Sequence, residues 1–168
     1  SSVRLACQSM LVGRSWGITG VHVDRDGKRD PWLMPTGQVT EFIGRFHAGQ
    51  TRVALDLASV PKFDQPFVMG GIRPAKGVAL VDSVASRTKD RVSVTLINRS
   101  FDRPVNMELR FDRKLRSVRA VALERDLPNA WGGSATERPL KEIRTQGGTS
   151  SIVLPPRSIV GVRADLTP

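Results

Sequence analysis

Pro35 to Gln50 reads PTGQVTEFIGRFHAGQ, and the change of period at its end decides the fold. Val39, Phe42, Ile43 and Phe46 recur at i, i+3, i+4 and i+7, which puts them on one stripe of an amphipathic helix. Thr36 is placed to cap the first turn, because its hydroxyl can accept a free amide there. Glu41, read as early in the helix, and His47, near its end, both suit the macrodipole. Gly49 supplies a left-handed stop. Beyond it the period falls from 3.6 to 2: Val53, Leu55 and Leu57 alternate with Arg52, Ala54 and Asp56, as they do on a pleated strand.

Upstream, Val3 to Val12 is apolar at helical spacing and reads as a helix end, stopped near Gly13. Trp16 to Val23, WGITGVHV, reads as a short strand with an irregularity at Gly20. Asp24 to Lys28, DRDGK, is a turn signal, and a loop is expected from Pro31 to Pro35. Helix end, strand, loop and helix have α/β character but too little core to fold alone.

Downstream, Ser59 to Pro74 holds three prolines and reads as a long irregular connection. Gly77 to Ala85 is a valine-rich strand. Val92, Val94 and Leu96 alternate with Ser93 and Thr95, and Val105, Met107, Leu109 and Phe111 with Asn106, Glu108 and Arg110. Asn98, Asp102 and Pro104 between these runs suit a hairpin. Leu115 to Leu123 is another strand, and Pro128 to Pro139 a loop. Ser151 to Leu154 and Ser158 to Ala164 are two strands broken by Pro155-Pro156. The fold class is therefore mainly β: an antiparallel β-sandwich over residues 51–168, preceded by a short α/β segment over residues 1–50.

Composition narrows the function. The chain has 168 residues, 39% hydrophobic and 25% charged, an ordinary globular mix. No apolar run approaches the roughly 18–20 residues that span a bilayer, and the N-terminus does not look like a signal peptide. A cytoplasmic and a secreted setting both stay open. The single cysteine, Cys7, excludes an internal disulfide and sits among Leu5, Ala6, Met10 and Leu11, where burial as a small apolar residue outweighs a nucleophilic role. The net charge of +10 permits an anionic partner. However, the cations are scattered from Arg4 to Arg163, and Arg110, Arg116, Arg119 and Arg163 alternate with apolar residues as on a solvated sheet face. Specific nucleic-acid binding would need a clustered stripe.

Four stretches carry a family pattern. Pro35, Thr36, Val39, Glu41 and His47 fall on P-T-x-x-V-x-E-x…H. Val94 to Ser100, VTLINRS, looks like a strand ending L-x-x-x-N-R. Asn129 to Pro139, NAWGGSATERP, looks like an N-x…E-x-P loop, and LPPRSIVGVRADL like a closing P-x-S-hydrophobic strand. Together they resemble the C-terminal end of family 51 glycoside hydrolases, the α-L-arabinofuranosidases, and their barrel-plus-sandwich relatives. The resemblance implies that residues 1–50 are the last strand and helix of a (β/α)8 barrel and that the sandwich is jelly-roll-like. Its partner would be the catalytic barrel of the same parent protein, with oligosaccharide contact and homo-oligomerisation left open. This chain departs from the pattern at Gly37, where the family usually has tyrosine, and Gly13 to Asp24 match poorly.

No catalytic site is expected within the chain. Retaining glycosidases need two carboxyl groups about 5 Å apart, and the resemblance puts that pair upstream of Ser1. Glu41, Glu108, Glu124, Glu137 and Glu142 have no partner at a convincing spacing. Asp24, Asp26 and Asp30 surround Gly27, but a turn explains them better than a calcium loop. His22 and His47 lack zinc spacing, and neither a G-x-S-x-G elbow nor a phosphate loop is present. No cofactor is implied. Asn98-Arg99-Ser100 fits a glycosylation sequon of the kind that arises by chance. The candidate substrate-binding residues are Trp16, where a barrel strand would end on its catalytic face, and Trp32 in the loop after it. Either indole could stack on a sugar, and either could be ordinary core. Trp131 is open to sugar contact or barrel packing. An independent carbohydrate-binding module is the competing reading, weakened by a chain with three Trp, six Phe and no Tyr.

Overall fold

The computed structural model describes residues 11–14, 19–68, 73–124 and 135–168. Three short strands come first: β1 (Val12–Gly13), β2 (Val21–His22) and β3 (Trp32–Leu33), followed by helix α1 (Pro35–His47). Then come β4 (Thr51–Val53), β5 (Lys62–Gln65), β6 (Ala75–Ala79), β7 (Val81–Arg87), β8 (Arg91–Asn98), β9 (Val105–Arg110) and β10 (Leu115–Glu124). Four more close the chain: β11 (Thr136–Pro139), β12 (Arg144–Gln146), β13 (Thr149–Leu154) and β14 (Ser158–Leu166).

Two antiparallel sheets face each other. One has six strands in the order β11-β10-β14-β8-β7-β4, the other three in the order β12-β13-β9. The alternating residues of β8 and β9 do what their period requires. Val92, Val94, Leu96, Val105 and Leu109 are buried in the shared core, and Met107 and Phe111 pack against it half-buried. From β14 and β10 come Val160, Val162, Leu166, Ala120 and Ala122, and from β13 Ile152 and Leu154.

The outer face of the large sheet is covered as well. Helix α1 lies across it, with Phe42 and Phe46 buried against Leu123, and Val39, Val121, Ala135 and Ile159 around them. Ile43 is half-buried. The tip of the Phe46 ring meets β14 at Gly161: a Cβ on that glycine would stand 2.3 Å from the ring, closer than such atoms essentially ever come. Arg163 stacks on the same phenyl ring at 4.8 Å. The helix stops at Ala48, whose N–H reaches Gly44 O at 2.8 Å, and Gly49 follows at φ 73°, the left-handed stop expected of it.

Asn98 ties the two places where the chain crosses between sheets. Its Nδ2 donates to Arg103 O at 3.0 Å, Leu154 O at 3.2 Å and Pro155 O at 2.9 Å. Its Oδ1 accepts the Ser100 N–H at 2.9 Å. Pro155-Pro156 breaks the ladder there, so β13 joins the small sheet and β14 the large one, as expected of two strands separated by prolines.

Several expectations are corrected. The β8–β9 connection is not a hairpin: β9 pairs with β13, and β8 with β7 and β14. Asn98 holds a crossing between sheets, whose turn residues are the same as a hairpin's. The connection after Ser59 is not wholly irregular, because Lys62–Gln65 pairs with Ala75–Ala79. Its prolines sit outside the paired residues. Val12–Gly13 is a strand parallel to β2 and not a helix end; residues 3–10 lie outside the described ones. Trp32 is in strand β3, not a loop. Met34 is the N-cap residue and Pro35 the first helical position, because proline's fixed φ suits that place and its missing N–H costs nothing there. The Thr36 hydroxyl instead donates to Thr19 O at 2.8 Å. Glu41 is mid-helix, and the first turn holds no acidic residue. The polar face is not uniformly solvated: Ser93 and Thr95 are fully buried under α1.

Phe42→Asp and Phe46→Asp each remove burial worth roughly 1.5–3 kcal/mol and put a carboxylate into an apolar layer. Each should lower the melting temperature by about 5 °C or more. Arg45→Gln, off the stripe, loses exposed ion pairs worth at most about 1 kcal/mol and a 5.6 Å contact over the Phe42 ring. Thermal unfolding of the three variants checks this ranking; equal midpoints would show that α1 contributes no packing.

Candidate functional site

The region of the expected sugar contact is built by β1, β2, β3 and the start of α1. The Val21 N–H reaches Leu11 O at 2.8 Å and the Val23 N–H reaches Gly13 O at 3.0 Å, which sets β1 and β2 side by side. β3 returns antiparallel, pairing Val21 with Leu33 and His22 with Trp32. The Met34 N–H binds Gly20 O at 2.9 Å, and Gly37 presses on the same carbonyl, where a Cβ would stand 2.1 Å away. This close approach admits only glycine at position 37.

Cross-strand pairing brings the His22 and Trp32 rings to 4.4 Å between centroids, tilted by 31°. The Nδ1 of His22 is buried and has no hydrogen-bond partner among the described residues. A half-buried indole backed by an imidazole offers an apolar platform on which a sugar ring could stack. Sequence reading found Trp32 and missed His22, because pairing across a bridge with no local motif brought them together. Trp16, Trp131 and Cys7 lie outside the described residues.

A second cluster sits under the C-terminal end of α1. His47 Nδ1 lies 2.6 Å from Ser86 Oγ and Nε2 lies 2.7 Å from Thr95 Oγ1. Gln50 Nε2 donates to Ser93 Oγ at 3.1 Å, and its Oε1 accepts the Ser86 hydroxyl at 3.1 Å. Ser86 and Thr95 are almost wholly buried, so no substrate reaches these hydroxyls. The cluster is a polar clasp between helix and sheet, not a histidine-activated nucleophile. Burial holds the His47 imidazole below its ordinary value, because desolvation penalises the cation.

Several of the carboxylates are occupied elsewhere. Glu41 and Glu137 converge, but on Arg45, which pairs with both. Glu108 pairs with Arg110 at 2.7 Å. Asp24 accepts the Lys28 N–H at 3.0 Å in a turn with Gly27 at φ 67°, as expected. Among the described residues no group of three or more His, Cys, Asp or Glu side chains could hold a metal ion, and no helix is long and apolar enough to cross a membrane. A cleft of about 1000 Å³ opens between the sheets beside β9, floored by Val92, Val94, Leu96, Met107, Leu109 and Phe111. It exists because six strands face three, and Phe111 is its single aromatic ring.

Solved structures share this fold. The family 51 arabinofuranosidase from Xanthomonas axonopodis pv. citri superposes with a TM-score of 0.68 at 22% identity, covering 88% of this chain and 29% of that one. AbfB, a family 51 α-L-arabinofuranosidase from Bifidobacterium longum, gives 0.64 at 20% identity, covering 88% and 28%. The catalytic domain of the family 30 xylanase C from Talaromyces cellulolyticus gives 0.57 at 15% identity, covering 88% and 27%. The chain thus spans less than a third of the length of each. No protein-family model matches the sequence, and no curated protein matches it.

A pH dependence follows from the clasp. With the folded pKa of His47 below an unfolded value of about 6.5, the unfolded chain takes up the proton first as pH falls. The contribution to stability is complete above about pH 6.5 and is lost as pH drops toward the lower folded value. Melting temperatures between pH 8 and 5 should therefore fall more steeply for the parent sequence than for His47→Gln. Parallel curves would contradict the assignment.

Proposed function

We propose that this chain is the C-terminal region of a glycoside hydrolase of the α-L-arabinofuranosidase type, non-catalytic in itself, which covers and stabilises a catalytic (β/α)8 barrel in the same parent protein. Residues 1–50 are the last strand and helix of that barrel, residues 51–168 its jelly-roll-like sandwich, and the junction lies near Gln50. The observation that carries the reading is an apolar row left open on the first sheet. Val12, Val21 and Leu33 stand in register across β1, β2 and β3, and Val12 and Leu33 are 57% and 42% exposed. A row of this kind belongs against neighbouring barrel strands. The shared fold with about a third of each arabinofuranosidase chain agrees with it.

In this reading Trp32 stands on the substrate rim, with His22 behind it, and Trp16 at the end of the last barrel strand is a second sugar contact. The reaction itself, hydrolysis of an O-glycosyl bond, belongs to two barrel carboxylates outside this chain. An independent carbohydrate-binding module is less well supported, since the exposed aromatics among the described residues are phenylalanines on separate elements, Phe63, Phe67 and Phe101.

The isolated chain should show no turnover of aryl arabinosides, xylosides or glucosides. When it is joined to its barrel, Trp32→Ala should raise KM several-fold with a smaller effect on kcat, as loss of ground-state binding requires. Turnover by the isolated chain that one Glu→Gln change within it abolishes would overturn the reading.

A further inference from the structure

The outer face of the six-stranded sheet carries an arrangement that neither the fold nor the proposed function uses. Arg119 of β10 and Arg163 of β14 are direct cross-strand partners. Such partners hold their Cβ atoms about 4.5–5.5 Å apart, and like charges placed so are destabilising. Two neighbouring arginines are neutralised. Arg45 is held by Glu41 and Glu137. Arg91 is held by Asp165 at 2.9 Å, and that carboxylate also accepts the Ser117 hydroxyl at 2.7 Å. Neither Arg119 nor Arg163 has a carboxylate partner among the described residues.

The two guanidinium groups are also prepared differently. Arg163 is fixed: it stacks on Phe46 at 4.8 Å and donates through Nη2 to Arg45 O at 2.5 Å. Its Nε is buried without a partner among the described residues. The helix C-terminal carbonyls offset part of its charge, but most of its donors are not accounted for by protein. Arg119 is exposed and makes no hydrogen bond or ion pair among the described residues. A fixed arginine on one strand and an exposed, unpaired one directly opposite on the next, with Glu41, Glu137 and Asp165 already engaged, is the arrangement that an anion would relieve.

We infer that Arg119 and Arg163 form a binding site for a single oxyanion, of the carboxylate or phosphate class. The planar forks of two arginines match the oxygens of such a group. Arg163 sets the position and Arg119 closes on the ligand. This inference is independent of the proposed glycosidase role, which fails or stands on other experiments.

The test is a titration of the whole chain at low salt with inorganic phosphate, with D-galacturonate and with neutral D-galactose, followed by calorimetry or by amide chemical shifts. Arg119→Gln is compared with Arg144→Gln, an exposed residue of β12 in the other sheet that removes the same charge. Saturable one-to-one binding of phosphate or galacturonate is expected, at least tenfold weaker in Arg119→Gln and unchanged in Arg144→Gln. Galactose should not bind. Tighter binding of galacturonate would assign the anion to an acidic saccharide, and tighter binding of phosphate to a phosphate ester. Arg119→Lys, which keeps the charge but loses the fork, should fall between. Absence of saturation, or equal loss in the Arg119 and Arg144 variants, would overturn the site and leave only diffuse attraction from the net charge.

Discussion

The fold depends on the contact of Phe46 with Gly161. A sheet face and a helix can approach this closely only where the strand has no side chain, and β14 provides that gap at one residue. A Cβ at Gly161 would lie within 2.6 Å of three Phe46 ring atoms, so any larger residue pushes the helix off. Once the ring is seated, Phe42 reaches Leu123, Arg163 closes over the ring, and His47 and Gln50 descend onto Ser86, Ser93 and Thr95. The result is three layers, with the six-stranded sheet in the middle. β8 is consequently buried on both faces from Val92 to Leu96, although two of those five residues, Ser93 and Thr95, are polar.

Polar residues at such depth must be hydrogen-bonded, since an unpaired buried donor costs about 1–3 kcal/mol. The helix end supplies the partners. This is why the clasp is made of hydroxyls, an imidazole and an amide instead of more aliphatics. It fixes the rotation of α1 about the Phe46 contact, because His47 must meet Ser86 and Thr95 together. On the opposite side the small sheet leaves part of the core open, and Asn98 compensates locally by binding both cross-sheet connections through one side chain.

Much of this was legible in the sequence, and the reasons for what was not are physical. Strict alternation in β8, β9 and β14 reports which residues face the core, and the i, i+3, i+4, i+7 stripe reports the buried helix face, because both periods are local geometry. Alternation does not say what lies on the second face, so nothing in the sequence marks Ser93 and Thr95 as buried. The Asn98–Pro104 connection reads equally as a hairpin or as a crossing between sheets, because turn residues specify a reversal and not the strand's next partner. Pro35 and Thr36 compete for the helix start, and only the position of Thr19 O decides which way the threonine hydroxyl turns. At the candidate site Trp32 stood out by its size, whereas His22 became visible only through the register of β2 and β3. The opposition of Arg119 and Arg163 likewise belongs to strand pairing across 44 residues of chain, which no motif encodes.

The short first sheet, the helix and the sandwich are joined in sequence, with the apolar residues Val12 and Leu33 exposed on the first sheet. The helix is the joint: one face binds the sandwich, and its N-terminal end is locked to Gly20 and Thr19 beneath β2 and β3. If that joint is the central element, α1 must unfold together with the sheet and not before it. Native-state hydrogen exchange of the helix amides measures this directly. The account predicts that the amides of Phe42 to Phe46 exchange with the same opening free energy as those of Val160 to Ala164 in β14, and that Gly161→Ala lowers the helix values first. Exchange of the helix amides through a separate opening of much lower free energy, unaffected by Gly161→Ala, would contradict it.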